Sequence, residues 1–173
     1  MSSTNRGADR HKTDYYITPT KPIKAFLEAF MEHKKDQHEE HGIWLDPCAG
    51  GDPDHPKMPY ADTIRELVNP TTIKTIDLRE DSSADTKADY ITHQLDYKPT
   101  TIISNPPFHL AREFITKALQ DVKPDGYVIM LLRLNFWGSQ SRKQFLLDNL
   151  PTHCYIHSKR LSFTPDGKTD SIE

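Results

Sequence analysis

A chain of 173 residues is one domain's worth of sequence and is long enough to bury a sizeable core. With 35% hydrophobic and 27% charged residues it is polar overall, yet discrete apolar runs exclude a disordered chain. A net charge of −3 provides no global attraction to nucleic acid, so such a partner requires a local basic patch.

The two cysteines, Cys48 and Cys154, are far apart and outside any C-x-x-C pattern, which points to a reduced, intracellular protein. His38 and His41 lack a second ligand pair, so no metal is expected. No segment reaches transmembrane length, and "MSSTNRGADRHKTD" lacks the apolar core of a signal peptide, so no membrane partner is expected and the location reads as cytoplasmic. Residues 1–14 read as a flexible N-terminal arm and residues 15–173 as one domain.

In "YYITPTKPIKAFLEAFMEHKK", Ile23, Phe26, Leu27 and Phe30 recur at helical spacing. Thr20 suits its cap and Pro22 its first turn. "IWLD" (Ile43–Asp46) predicts a short buried strand, "PCAGGDPDHPKMPY" a loop and "ADTIRELV" (Ala61–Val68) a helix. "TTIKTID" (Thr71–Asp77) predicts a strand ending in an acid. "DYITHQLDY" (Asp89–Tyr97) predicts another, ending in a second acid, and "TTIIS" (Thr100–Ser104) a third. "HLAREFITKALQDV" predicts a helix with Leu110, Phe114, Ile115, Ala118 and Leu119 on one face. "GYVIMLLRL" (Gly126–Leu134) is the most apolar strand and reads as central; "SRKQFLLDNL" reads as a helix and "HCYIHS" (His153–Ser158) as a strand.

This alternation predicts an α/β fold: a Rossmann-like, doubly wound, mostly parallel sheet with helices on both faces. Ligands of such sheets sit at the strands' carboxyl ends, where Asp46, Gly50, Asp77, Asp96 and Asn105 collect. In "LDPCAGGD", Gly50 and Gly51 permit a tight turn and close approach of a ligand to the backbone; a plain turn is the alternative. Asp77 ends the next strand, where a carboxylate can accept from both hydroxyls of a ribose. Asp96 is placed to meet an adenine amino group. The loop lacks G-x-G-x-x-G and G-K-[ST], so the expected ligand is a nucleoside without pyrophosphate, a description that S-adenosylmethionine fits.

"IISNPPFHLA" (Ile102–Ala111) breaks a buried strand with two prolines, which cannot donate to a ladder. Rigid Pro106 and Pro107 hold the Asn105 side-chain carbonyl and neighbouring main-chain carbonyls as acceptors. Two acceptors aimed at an exocyclic amino group make its nitrogen more tetrahedral and its lone pair more available, a preorganised electrostatic effect. Phe108 offers a stacking face. A proline-terminated strand with a core phenylalanine is the alternative.

"DPCAGGD" and "SNPPF", in that order on this strand pattern, resemble the class I S-adenosylmethionine-dependent amino-methyltransferases, and among them most closely the Dam-like DNA adenine-N6 methyltransferases of phages and bacteria. "DYYITPTKPIKAFL" is similar to that family's segment over the methionine part of the cofactor. The resemblance implies methyl transfer from S-adenosylmethionine to N6 of a flipped-out adenine. It places Asn105, Pro106, Pro107 and Phe108 at the target base. Tyr16, Thr18, Pro19, Asp46, Pro47, Cys48, Ala49 and Gly50 would lie at the methionine end, Asp77 at the ribose, and Asp96 and Tyr97 at the cofactor adenine, with Leu78 and Asn105 also among the cofactor contacts. DNA is the implied partner, with Lys21, Lys24, Arg133, Arg142, Lys143, Lys159 and Arg160 as phosphate contacts and Phe136 and Trp137 as a wedge or pocket wall. Solvated surface charge is the alternative for each cation. A phage origin, and with it a host-cytoplasm location and a restriction-modification context, is compatible with the resemblance.

Three departures bear on this. The glycine loop reads Gly50-Gly51-Asp52, where many relatives place an intervening residue. Only 55 residues separate Gly50 from Asn105, too few for a target-recognition domain. The sequence ends at Glu173 with one strand of the family's final antiparallel pair lacking; a truncation, a natural fragment, or completion by a second copy or another chain would each account for this. Methylation of an RNA base or a protein glutamine, and a non-catalytic binding protein of this fold, are the rival readings.

Overall fold

The computed structural model describes residues 17–34, 42–70, 72–159 and 161–163. The expected arm, Tyr16 and Arg160 lie outside the described residues. Helix α1 (Thr20–His33) is followed by β1 (Ile43–Asp46), α2 (Pro59–Leu67), β2 (Thr72–Asp77), β3 (Thr86–Lys87) and β4 (Thr101–Ser104). A 3-10 turn at Phe108–Leu110 leads into α3 (Ala111–Asp121), then β5 (Tyr127–Met130), and α4 (Lys143–Asp148) follows two more 3-10 turns. The five strands lie in the order β3-β2-β1-β4-β5, and every pairing is parallel.

Alternate strand residues feed two cores, as expected of a sheet covered on both faces. On one face Trp44 and Ile103 pack with Ile23, Leu27 and Phe30 of α1 and with Tyr60 and Ile64 of α2. On the other, Leu45, Ile76 and Ile102 pack with Tyr90 and with Phe114 and Ala118 of α3. The chain leaves β1 toward β2 on one side and returns as β4 on the other. The switch point therefore falls between β1 and β4, and at the carboxyl ends of such a pair open α/β sheets bind their ligands.

Several expectations are corrected. Thr20 is the first helical residue, not the cap; Pro19 holds the cap position and no side chain bonds there. No strand forms within Asp89–Tyr97. Asp89 instead closes a turn, its Oδ1 accepting from Ile91 N at 3.0 Å and its carbonyl from His93 N at 2.9 Å. The third strand is Thr86–Lys87, paired with Ile76 and Asp77. Strand β5 is not central: among the described residues it is the edge, with all four residues half-buried. His153–Ser158 form no strand; Tyr155 packs edge-on against Phe26 of α1, with ring centroids 5.0 Å apart. On α3 the buried residues are Ala111, Phe114 and Ala118, and Leu119 is exposed. No helix among the described residues is long and apolar enough to cross a membrane.

Candidate active site

The carboxyl ends of β1, β2 and β4 converge on one buried polar cluster. Asp46, the last residue of β1, is 1% exposed. Its Oδ1 accepts from Ser104 Oγ at 2.8 Å, across the switch point, and from Cys48 N at 3.1 Å. Its Oδ2 is buried with no partner among the described residues. Burial pushes this carboxyl up to about 7; the two donors oppose the shift, and the Asp77 charge adds to it. Burial likewise pushes the Cys48 thiol up, so this cysteine is no ready nucleophile.

The glycine loop is tied to β2 by its own backbone. Gly50 and Gly51 both have φ of +73°, the left-handed region that glycine adopts without strain. Ala49 N donates to Ile76 O at 3.0 Å, and Gly50 N to Asp77 Oδ2 at 2.8 Å. Asp77 Oδ1 accepts from Arg79 N at 3.0 Å, and Arg79 Nε lies 3.3 Å from the same oxygen. Ser82 Oγ donates to Gly50 O at 3.0 Å. The loop and the acid after it thus hold one another, and Leu78 between Asp77 and Arg79 stays 65% exposed, an apolar face beside the carboxylate.

Asn105 stands just past β4. Its Nδ2 donates to Thr18 Oγ1 at 3.1 Å, which joins the segment before α1 to the Asn-Pro-Pro-Phe turn. Its Oδ1 is buried with no partner among the described residues. Neither Pro106 nor Pro107 has an N–H that could serve it. The Pro107 carbonyl accepts from Leu110 N at 2.9 Å, which starts the turn into α3. Tyr60 is buried beside Thr18 and Asp46, and burial pushes its hydroxyl well up.

The structure therefore brings together Thr18, Asp46, Pro47, Cys48, Ala49, Gly50, Asp77 and Asn105. Asp96 is exposed and ends no strand. Tyr97 follows it, its ring 6.0 Å from Lys74 Nζ, and burial with the Asp96 charge pushes its hydroxyl up to about 12. The acid at the end of β3 is Asp89, next to Ala88, whose N–H donates to Asp77 O at 3.0 Å. Among the basic candidates, Arg133 and Arg142 line a cavity with Phe108 and Phe136. Lys24 is paired with Glu66, while Lys21, Lys143 and Lys159 are exposed, and Trp137 is partly exposed outside that lining. Sequence reasoning missed Ser104, Tyr60 and Arg79. A polar residue closing an otherwise apolar strand was the available signal for Ser104; Tyr60 and Arg79 carry none.

No protein-family model matches this sequence, and no curated protein matches it. Solved structures do. One from Listeria monocytogenes, provisionally assigned to the class I S-adenosylmethionine-dependent methyltransferases, superposes with a TM-score of 0.58 at 17% identity, over 77% of this chain and 52% of that one. TrmN from Thermus thermophilus gives 0.47 at 20% identity, over 82% of this chain and 48% of that one. DesVI from Streptomyces venezuelae gives 0.47 at 12% identity, over 64% and 50%. The chain spans about half the length of these structures. The likeness to the Listeria structure is one of fold: this chain is a Rossmann-like α/β domain built on a parallel five-stranded sheet.

Proposed function

We propose that this chain transfers a methyl group from S-adenosylmethionine to an exocyclic amino group, with N6 of adenine in DNA as the acceptor. The observation that carries the reading is the Asn105 side chain. It presents a buried, unpartnered carbonyl at the carboxyl end of β4, between two prolines with no N–H to satisfy it and a loop that holds Asp46 and Asp77. A buried acceptor left open costs free energy in the folded protein, and an amino donor from a substrate removes that cost.

The residues fit the cofactor. The exposed Leu78 offers an apolar face to a purine. Asp77 keeps lone pairs for ribose hydroxyls beyond those used by Gly50 N and Arg79 N. Asp46 Oδ2 is an unpartnered acceptor suited to an ammonium group. Asp89, at the end of β3, takes the position that the sequence assigned to Asp96. When bound, S-adenosylmethionine supplies an electrophilic sulfonium methyl.

The chain's own residues then do the rest. Asn105 Oδ1 and the Pro106 carbonyl would accept the two amino hydrogens and stabilise positive charge as it develops on the nitrogen; the N–C bond would form as the sulfonium C–S bond breaks, with the thioether leaving and the surplus amino proton passing to water. Phe108 stacks on the ring, and the rigid prolines fix the alignment that displacement requires. The test is incubation with radiolabelled S-adenosylmethionine and unmethylated DNA, followed by digestion to nucleosides. Labelled N6-methyladenine is expected. Label in RNA or in a protein glutamine, and none in DNA, would overturn the acceptor assignment.

A further inference from the structure

After β5 the chain passes back over the Asn-Pro-Pro-Phe turn and closes a cavity of about 290 Å³. Phe108, Leu132, Arg133, Asn135, Phe136 and Arg142 line it, with no acidic residue in the wall. The Arg133 guanidinium lies 4.6 Å from the Phe108 ring centroid, and that of Arg142 4.7 Å from the Phe136 ring. Arg142 is pinned in place: Nε donates to Phe136 O at 2.9 Å and Nη2 to Asn135 O at 3.3 Å. Arg133 Nε is buried with no hydrogen-bond partner among the described residues. Neither guanidinium has a carboxylate partner among them.

Two cations in one small pocket, uncompensated by any acid, repel each other and suffer desolvation. Contact with an aromatic face uses no in-plane N–H donor, so Arg133 Nε stays open, while Arg142, with Nε and Nη2 given to the two carbonyls, contributes its charge and its remaining N–H groups; guanidinium donors of this kind match phosphate oxygens in geometry. A protein amide or a free base carries no charge to complement this pair. The cavity sits at the small end of ligand sites, room for a backbone phosphate and little more than its sugar.

We infer that Arg133 and Arg142 form a phosphate subsite, which takes the backbone phosphate adjoining the target base while the base itself reaches Asn105. This rests on the amino-methyltransferase reading and deepens it: the acceptor is a nucleic-acid strand, engaged through one phosphodiester beside the reacting ring. Phe108 serves both parts, as the stacking face for the base and as the platform that orients Arg133.

The test uses fluorescent oligothymidylates carrying one adenosine, with either native phosphodiesters or a neutral methylphosphonate at each linkage flanking that adenosine. Binding by anisotropy to the full chain should weaken about 10-fold with the neutral linkages, of the order a lost charge-assisted contact gives. Arg133→Gln should bind the native strand about 10-fold more weakly and lose its sensitivity to the neutral linkages, whereas Lys98→Gln, exposed before the amino end of β4 and outside the cavity lining, should keep that sensitivity. Wild-type binding indifferent to the neutral linkages, an Arg133→Gln variant as sensitive as wild type, or no binding of either strand would overturn the subsite. Methylation of the same strands separates the two readings. N6-methyladenine formed with unchanged KM on the neutral strand removes the subsite and keeps the reaction. Arg133-dependent binding without any methyladenine does the reverse.

Discussion

Replacing Asn105 by alanine removes two features of opposite sign. One is the Nδ2 donor to Thr18 Oγ1 at 3.1 Å; the other is a buried Oδ1 with no partner among the described residues. A side-chain hydrogen bond contributes about 0.5–1.5 kcal/mol net, whereas an unsatisfied buried acceptor costs about 1–3 kcal/mol. The half-buried side chain leaves only a small void. The terms nearly cancel, so Asn105→Ala should change stability by no more than about 1 kcal/mol, or about 4 °C in Tm for a chain of this size. Transfer should respond very differently, because removing one preorganised group that faces developing charge costs about 10²–10³ in rate. The assay pairs calorimetric melting with quantified N6-methyladenine, and with titration of S-adenosylmethionine to check that the cofactor still binds. A melting point lowered by about 10 °C or more would make Asn105 a structural residue. Normal transfer at normal stability would show that the target amine is held elsewhere.

The Asp46 carboxyl and the glycine turn yield two further expectations. Burial raises Asp46 from 3.8 to about 7, so between those values the folded chain holds a proton that the unfolded chain has lost. The stability from this group is complete below about pH 4, falls as pH rises, and is lost above about pH 7, at about 1.4 kcal/mol per pH unit. Melting of wild type and Asp46→Asn across that range should show a fall that the variant lacks; equal slopes would refute the burial argument. At Gly51, with φ of +73°, a Cβ would meet Ser83 Cβ and Oγ at 2.7 Å, whereas at Gly138 the nearest atom is Asn135 O at 3.9 Å. Gly51→Ala should therefore lose about 2 kcal/mol or more in urea unfolding and Gly138→Ala less than about 0.5 kcal/mol, and equal midpoints would contradict this account of the turn.

Strands β1 and β4 were legible because a strand buried on both faces is an apolar run, and β2 because β-branched residues lead into a buried end; each ends in a polar residue. That is also why Asp46, Asp77 and Asn105 could be placed at one crevice: a parallel sheet brings its carboxyl ends together whatever separates them in the chain. The misreadings share one cause, apolar residues that serve something other than a ladder. Tyr90 is buried because it packs on Phe114 of α3, with ring centroids 5.5 Å apart, and not because Asp89–Tyr97 extends along the sheet. Tyr155 is explained by Phe26 and His33 of α1, so "HCYIHS" needs no strand to account for it. The run from Gly126 suggested a central strand, yet β5 pairs with β4 alone among the described residues.

The two-residue β3 had no periodicity to read, and its position decides which acid follows the third strand. Because Lys87 pairs with Asp77 and Ala88 N bonds to Asp77 O, the residue carried to the sheet's end is Asp89, while Asp96 is left on the approach to β4. The contacts that shape the site beyond its strand-end residues are long-range in the same way. Ser104 reaches Asp46 across 58 positions and Asn105 reaches Thr18 across 87. Neither contact has a local signature, since a serine or threonine at such a position satisfies a backbone group just as readily. Residue type at a strand's end is thus written in the sequence, but partnership is set by topology. The arginine pair follows the same logic: Arg133 and Arg142 look like any surface cations until the turn after β5 sets both around one cavity, Arg133 against Phe108 and Arg142 against Phe136, with no acidic residue in its lining.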